Sequence, residues 1–452
     1  MKGKFIIILV FFSLFLNDLA GQENNPISAE DAVVIALENN YQMQIARKQN
    51  EISEKNNKWS EAGAFPTVEL TALLGNSVID NRNNPFTFTP GLIANNQLTP
   101  GVAANWNIFS GMGVKISKQR LEQLEKQSMG NGIVILENTT HDVLTSYYNA
   151  ILQKQRLNVL KEVYNFSKKQ FEYEEKKSEY GQANRLSVYQ LKNQFFTDSL
   201  NIMQQKINYD NALRNLMLVM NVSQDEIENE NFPLLSDSLT IDITPIDIEN
   251  VVNEMKANNQ NLKNQMINYE LQKTNTQQQR SFLYPVVSLQ LGATPNYGRF
   301  QFLGDAPEGM SGSLNTQQVN YYGNINLRYN LFNNWRDKRA VEVSKIQEEI
   351  AVMNVKELEK QLIVNAKNLI QQFKIKNQLV NVASQNVAYS KLAYEIGRDR
   401  FELGSINSIE LSQLQNAYLN ANVDYFDALY QRIDIYLELQ KITGKFQLSY
   451  SE

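Results

Sequence analysis

The chain has 452 residues, 42% hydrophobic and 20% charged, with a formal net charge of -5, ten prolines, one histidine and no cysteine. That inventory excludes a disulfide-stapled scaffold, a zinc or iron–sulfur protein, a thiol enzyme and a strongly basic nucleic-acid binder. The length fits two or three ordinary domains or one large repetitive architecture.

Lys2 and Lys4 precede an apolar run from Phe5 to Leu16, followed by Leu19-Ala20-Gly21 and polar sequence. Twelve apolar residues fall short of the ~20 that span a bilayer as a helix, so residues 1–21 read as a signal peptide cut near Gly21. Its removal leaves 41 basic and 47 acidic residues, and without cysteine no N-terminal thioether lipid is possible. The mature chain is expected outside the cytoplasm. No other window holds eighteen consecutive apolar residues, so any membrane crossing must be made by strands.

The mature chain repeats itself. Ile27-Ser28-Ala29-Glu30-Asp31-Ala32-Val33 through Asn39-Asn40 to Phe65-Pro66 aligns at a shift of 219 with Ile246-Asp247-Ile248-Glu249-Asn250-Val251-Val252 through Asn258-Asn259 to Tyr284-Pro285. Beyond a four-residue indel, Trp106-Asn107-Ile108-Phe109 and Tyr180-Gly181-Gln182-Ala183-Asn184 align at a shift of 223 with Tyr329-Asn330-Leu331-Phe332 and Leu403-Gly404-Ser405-Ile406-Asn407. The reading is two tandem units, 22–223 and 246–452, joined by an acidic linker at 224–245.

Each unit predicts the same elements. A helix (Ile27 to Gly63; Ile246 to Phe282) stops at an aromatic-proline pair. Two strands follow, around a polar loop (about 79–97; about 296–318). Then come a proline-free stretch of 70 residues (Gly111 to Tyr180; Asn334 to Leu403) and a return helix of 37 (Asn184 to Met220; Asn407 to Thr443). Seventy helical residues measure ~105 Å. The first and return helices together match that length, so they are expected to stack end to end beside the long helix. Leu411, Leu414, Tyr418, Ala421, Tyr425 and Ala428 form a coiled-coil stripe, whereas its counterpart at Val188, Leu191, Phe195 and Ile202 is interrupted by Asp198.

The strands alternate apolar and polar residues. Val68, Leu70, Ala72 and Leu74, then Val102, Ala104, Trp106 and Ile108, make one apolar face in the first unit. Val287, Leu289, Leu291 and Ala293, then Ile325, Leu327, Tyr329 and Leu331, make it in the second. Such a face lines either a core or a lipid wall, and no amphipathic helix is left over to cover it. Four strands cannot close a membrane barrel, so subunits are expected to contribute strands jointly. Val68, Leu70, Trp106, Ile108, Val287, Leu289, Tyr329 and Leu331 are the expected lipid-facing set.

Phe401-Glu402-Leu403-Gly404-Ser405-Ile406-Asn407-Ser408-Ile409-Glu410, running on to Ile442-Thr443-Gly444, and the doubled layout around Phe65-Pro66 and Tyr284-Pro285 resemble the TolC-like outer-membrane efflux proteins. The resemblance covers nearly the whole mature chain. It implies a mostly α fold with membrane β: a homotrimer whose β-barrel continues as a periplasmic α-helical barrel. It further implies an outer-membrane channel-tunnel of a tripartite efflux or type I secretion system, docked to a periplasmic adaptor and an inner-membrane pump. The alternative reading is a soluble periplasmic coiled-coil scaffold or adaptor.

Gly404 suits the left-handed end of a helix, and Asn407 with Glu410 suits a capping box. Gly181, Asn184 and Ser187 repeat the turn with a weaker box. The resemblance makes these six residues tip turns and adaptor contacts, with Phe401, Glu410 and Gln413 at a pore constriction. Phe401 and Ile406 stand where gates of that family carry tyrosine and arginine, and Ser187 and Gln413 where they carry acids, so only a Glu410 ring, favouring cations, is expected.

No catalytic constellation is found, and no cofactor or metal site is expected. His141 has no second histidine or cysteine to join it, and Glu174-Glu175 and Glu348-Glu349 read as solvated helix faces. Ser110-Gly111-Met112-Gly113 lacks the third glycine of a dinucleotide fingerprint, and Thr443-Gly444-Lys445 lacks the upstream glycine of a phosphate loop.

Overall fold

A computed structural model describes residues 26–87, 91–223, 225, 232–240, 250–304 and 312–446. The expected signal peptide lies outside them, as does much of the expected linker. The elements are α1 (Ala29–Asn39), α2 (Tyr41–Asn56), β1 (Thr67–Asp80), β2 (Leu92–Ser110), α3 (Gly113–Glu179), α4 (Arg185–Met220), α5 (Val251–Asn258), α6 (Gln260–Ser281), β3 (Val286–Phe302), β4 (Ser313–Arg328), α7 (Arg336–Glu402) and α8 (Ser408–Ile442). The order from α1 to α4 is repeated from α5 to α8, and both long helices, α3 and α7, have 67 residues.

Two expectations need correction. The first helix of each repeat is broken, at Asn40 and at Asn259, which take extended ψ values of 120° and 117°. At the first break Asn40 Oδ1 accepts from the backbone N–H groups of Gln42 and Met43, so the side chain starts a new helix. At the second, Asn259 Nδ2 donates to the carbonyl of Ile442. In the first repeat the helix also stops at Asn56, before the expected Gly63. The strands, in turn, run further into the expected loops: β1 continues to Asp80 and β2 starts at Leu92, while β3 continues to Phe302 and β4 starts at Ser313. Asn76, Asn95, Asn96 and Gln97 are in the ladder, but being polar on both faces they carry no period-two signal.

The chain divides into two compact units. One comprises Met1–Arg47, Gly132–Gln260 and Glu359–Glu452; the other comprises Lys48–Asn131 and Asn261–Leu358 and holds the sheet. In the first, α1 buries Ala32, Val33 and Ala36 against Val143, Tyr147 and Ile151 of α3, Leu216 and Met217 of α4, and Ile433 of α8. Part of the joining segment completes this core. Ile27 pairs in parallel with Leu235, and the fully buried Tyr147 donates its hydroxyl to the Ile27 carbonyl at 2.8 Å. A second cluster joins Val251 to Ala366, Phe373, Ile435, Leu439 and Ile442. In the other unit the helix seams are polar: Ser128 bonds to Asn50, Asn264 to Asn131, and Thr276 to the Ser344 carbonyl.

Asp198, read from the sequence as an interruption, lies in a buried polar seam. It is 2% exposed and accepts from Gln194 Nε2 and from Gln415 Nε2 of α8, both at 3.0 Å. Burial pushes its carboxyl above the ordinary range, opposed by hydrogen bonds from Ser167, Gln194 and Gln415. Tyr394 and Tyr418 stack nearby in the same unit at 5.7 Å between centroids, and burial raises the Tyr394 phenol as well.

A carboxyl with a raised folded-state pKa favours the fold most when protonated, and this contribution is lost as pH rises through that pKa. Asp198→Asn is therefore expected to match or exceed the parent's thermal stability at neutral pH. Its advantage should shrink on acidification below the raised pKa, as followed by thermal melts in detergent across pH. Asp198→Ala strands the buried Gln415 amide and is expected to cost about 1–3 kcal/mol.

Candidate membrane sheet and hairpin tips

The four strands form one antiparallel sheet in the order β1-β2-β3-β4. The register carries most of the apolar residues of each strand onto one face, with Leu73 and Tyr322 on the other. Trp106 lies opposite Leu289, and Leu289 opposite Ile325. Val68, Ala104, Leu291 and Gly323 form the next rung, and Leu70, Val102, Ala293 and Tyr321 the one after. The apolar rungs end at Leu74, Leu98 and Tyr297; Asn76, Asn96, Arg299 and Asn315 then occupy the same face. From Val287 to Tyr297 the strand advances ~34 Å, or about 26 Å of height at a tilt near 40°, which matches the apolar band of an outer-membrane barrel.

The opposite face is polar. Thr67, Asn105, Gln290 and Asn324 make one rung and Asn107, Ser288 and Asn326 another. At Gly292 a Cβ would lie 2.4 Å from Tyr322 Cζ, so the glycine admits the tyrosine ring across the strand. β1 and β4 are the outermost strands of the sheet, and each has an edge with no neighbour among the described residues.

Five of the eight residues expected to face lipid stand on the apolar face as expected: Val68, Leu70, Trp106, Val287 and Leu289. Three depart in detail. A bulge between Asn107 and Phe109 leaves Ile108 without a ladder partner and sets Phe109 opposite Val287. β4 ends at Arg328, opposite Val286. Tyr329 and Leu331 thus lie past the ladder, because the residue before Val286 is Pro285, which has no N–H to offer. Both remain exposed, Leu331 at 89%. Leu98, Tyr297, Val319 and Tyr321 belong to the apolar face but fell within or beside the expected loops; the spacing Val319-x-Tyr321 was the available signal.

The hairpin tips are built as their residues dictate. Gly181 and Gly404 have φ of 72° and 73°, the left-handed region that favours glycine. The next N–H in each, from Gln182 and Ser405, reaches back to the carbonyls of Lys177 and Arg400 at 2.8 Å. Asn184 accepts from the Leu186 N–H. Asn407 accepts from Ile409 and Glu410, and Glu410 Oε2 accepts in return from the Asn407 N–H at 3.0 Å. The reciprocal box is complete in the second tip; in the first the half-buried Ser187 does not contribute. Ser408 donates to Gln190 at 2.6 Å, tying the two tips together.

Of the three residues expected at a constriction, Glu410 and Gln413 are exposed. Phe401 is not: at 8% exposure it packs with Leu191 and Leu411, so its ring is committed to the hairpin core instead of open space. His141 is largely enclosed, with Nε2 3.6 Å from Glu438 Oε1. Among the described residues no helix is long and apolar enough to cross a membrane.

The comparisons agree with this architecture. A family described as Outer membrane efflux protein matches residues 32–222 and again 251–445. Among solved structures, the CmeC outer membrane channel of Campylobacter jejuni superposes with a TM-score of 0.76 at 16% identity, covering 93% of this chain and 86% of that one. VceC of Vibrio cholerae gives 0.71 at 13%, covering 92% and 96%. The MtrE outer membrane channel of Neisseria gonorrhoeae gives 0.68 at 14%, covering 92% and 88%. Among curated protein sequences no match is found. With its duplicated halves matched separately and its strands gathered in a single sheet, the chain belongs to the outer membrane efflux protein family: it is an outer-membrane efflux channel and not an enzyme.

Proposed function

We propose that three copies of this chain close a twelve-stranded barrel in the outer membrane and continue it as a periplasmic helical tunnel, a passive exit duct driven by a pump elsewhere. The observation that carries this reading is the four-stranded sheet: one face apolar across the band up to Gln317 at its end, and an open edge on each side. In hydrocarbon each unpaired backbone group costs several kcal/mol, so the edges must be sealed by other copies. The soluble-scaffold alternative is set aside by family membership.

The helices support joint assembly. α4 buries Leu191, Asp198 and Gln205 on one face, and on the opposite face Tyr189, Phe196, Leu200, Met203 and Ile207 are each more than half exposed. Their spacings of 7, 4, 3 and 4 are those of a coiled-coil seam without its partner. α7 likewise buries Phe373 and Val380 while Leu379, Val382, Tyr389, Leu392 and Ile396 stay exposed. We assign these two stripes to contacts between copies.

The tips around Gly181, Asn184 and Ser187, and around Gly404, Asn407 and Glu410, are the proposed docking points for a periplasmic adaptor, which would link the duct to an inner-membrane pump. Three Glu410 carboxylates would ring the tunnel there and favour cations, with Gln413 neutral one turn on. Residues 1–21 would be removed on export.

Leu200→Glu combined with Met203→Glu is expected to convert detergent-solubilised trimers to monomers by light scattering, whereas Asn208→Glu, off the stripe, leaves them intact. Glu410→Gln keeps the cap, since glutamine serves in a capping box. It is expected to lower the cation-over-anion permeability ratio in planar bilayers while conductance persists.

A further inference from the structure

Both strand-to-helix turns carry one motif. In the second repeat Phe332, Trp335 and Lys338 follow at intervals of three; in the first, 223 residues earlier, stand Phe109, Met112 and Lys115. The backbone is left-handed at both central positions of each turn: φ is 61° and 68° at Gly111 and Met112, and 61° and 60° at Asn334 and Trp335. Bulky side chains seldom adopt this region. The turns hold Met112 and Trp335 there with 65% and 55% of their surface in the open. Trp335 packs edge-on to Phe332 at 6.0 Å and takes the Lys338 ammonium over its ring at 4.2 Å.

Charge at this turn runs against the helix. The first turn of α7 reads Arg336-Asp337-Lys338-Arg339, three cations and one acid, where the helix dipole favours anions. Among the described residues Asp337 pairs with Arg336, at 3.6 Å, and the three cations to one acid leave an excess of positive charge beside exposed aromatic rings. The surface is also continuous with the sheet. The Phe109–Val287–Leu327 rung is the last with an apolar residue on each of its three strands, and Tyr329, Leu331, Phe332 and Trp335 follow it directly in sequence, all exposed.

We propose that the Phe332–Trp335–Lys338 turn, with Arg339, is a binding surface for anionic phospholipid in the periplasmic leaflet of the outer membrane. The rings lie at the acyl boundary and the cations meet the headgroup phosphate. The Phe109–Met112–Lys115 turn is a weaker second copy. The proposal rests on the sheet being a membrane wall.

The test uses the full chain in vesicles mixing phosphatidylcholine and phosphatidylglycerol, with Trp335 left as the single tryptophan by Trp59→Phe and Trp106→Phe. Bromine is placed on one lipid or the other. The expected result is quenching of Trp335 at least about threefold stronger with brominated phosphatidylglycerol at equal mole fraction. The preference should be lost in Lys338→Gln/Arg339→Gln and retained in Lys338→Arg/Arg339→Lys. Equal quenching by the two lipids, or a preference that survives charge removal, overturns the proposal. Failure of the protein to enter vesicles of either composition would instead overturn the membrane reading of the sheet.

Discussion

A β-sheet in lipid has nowhere to leave an unpaired edge. The described residues supply four strands, give them one apolar face, and end the sheet at β1 and β4. Those facts decide the rest. The apolar rungs call for a solvent that is not water, and the edges have no neighbour among the described residues. In the proposed assembly the helices share the problem, because a protomer completed by its neighbours would also have to present helix faces to them. The opposed faces of α4, one buried and one apolar yet exposed, are what such a demand looks like along a single helix.

The duplication makes this economical. One pattern of helix, strand pair, long helix and return helix, used twice, gives matching 67-residue helices and tip turns with the same left-handed glycine. The copies have diverged where their surroundings differ. At Gly111 a Cβ would lie 2.3 Å from the Ser281 carbonyl oxygen, so glycine is required, whereas Asn334 takes the same φ in the second repeat. Asp198 has an alanine, Ala421, at the corresponding position in the other repeat, and the two sit on the two return helices, α4 and α8. The buried polar seam is thus built from unequal halves.

Much of this was legible in the residues. Landmarks at constant offset gave the repeat; glycine and Asn-x-x-Glu gave the second tip; alternation gave the apolar face at Val68, Leu70, Trp106 and Leu289. What escaped had physical reasons. Asn40 and Asn259 break helices that composition reads as continuous: the Asn40 side chain caps the helix that follows, and the Asn259 side chain is drawn to the Ile442 carbonyl, a partner distant in sequence. The strands outlast their hydrophobic signal where both faces are polar. The bulge at Ile108 is a register event, and register belongs to pairs of strands rather than to one. Phe401 was placed by resemblance, yet the packing of Leu191 and Leu411 around it decides where its ring goes.

Sealing of the edges by other copies is open to direct measurement, since the chain has no cysteine and every introduced thiol is unambiguous. Thr71→Cys on β1 would be combined in turn with Thr316→Cys, Gln318→Cys, Asn320→Cys and Tyr322→Cys on β4, which share its polar face, and membranes oxidised before denaturing electrophoresis. At least one pair is expected to give a covalent closed trimer, with dimers as its partial product. Monomers alone at every register would contradict it.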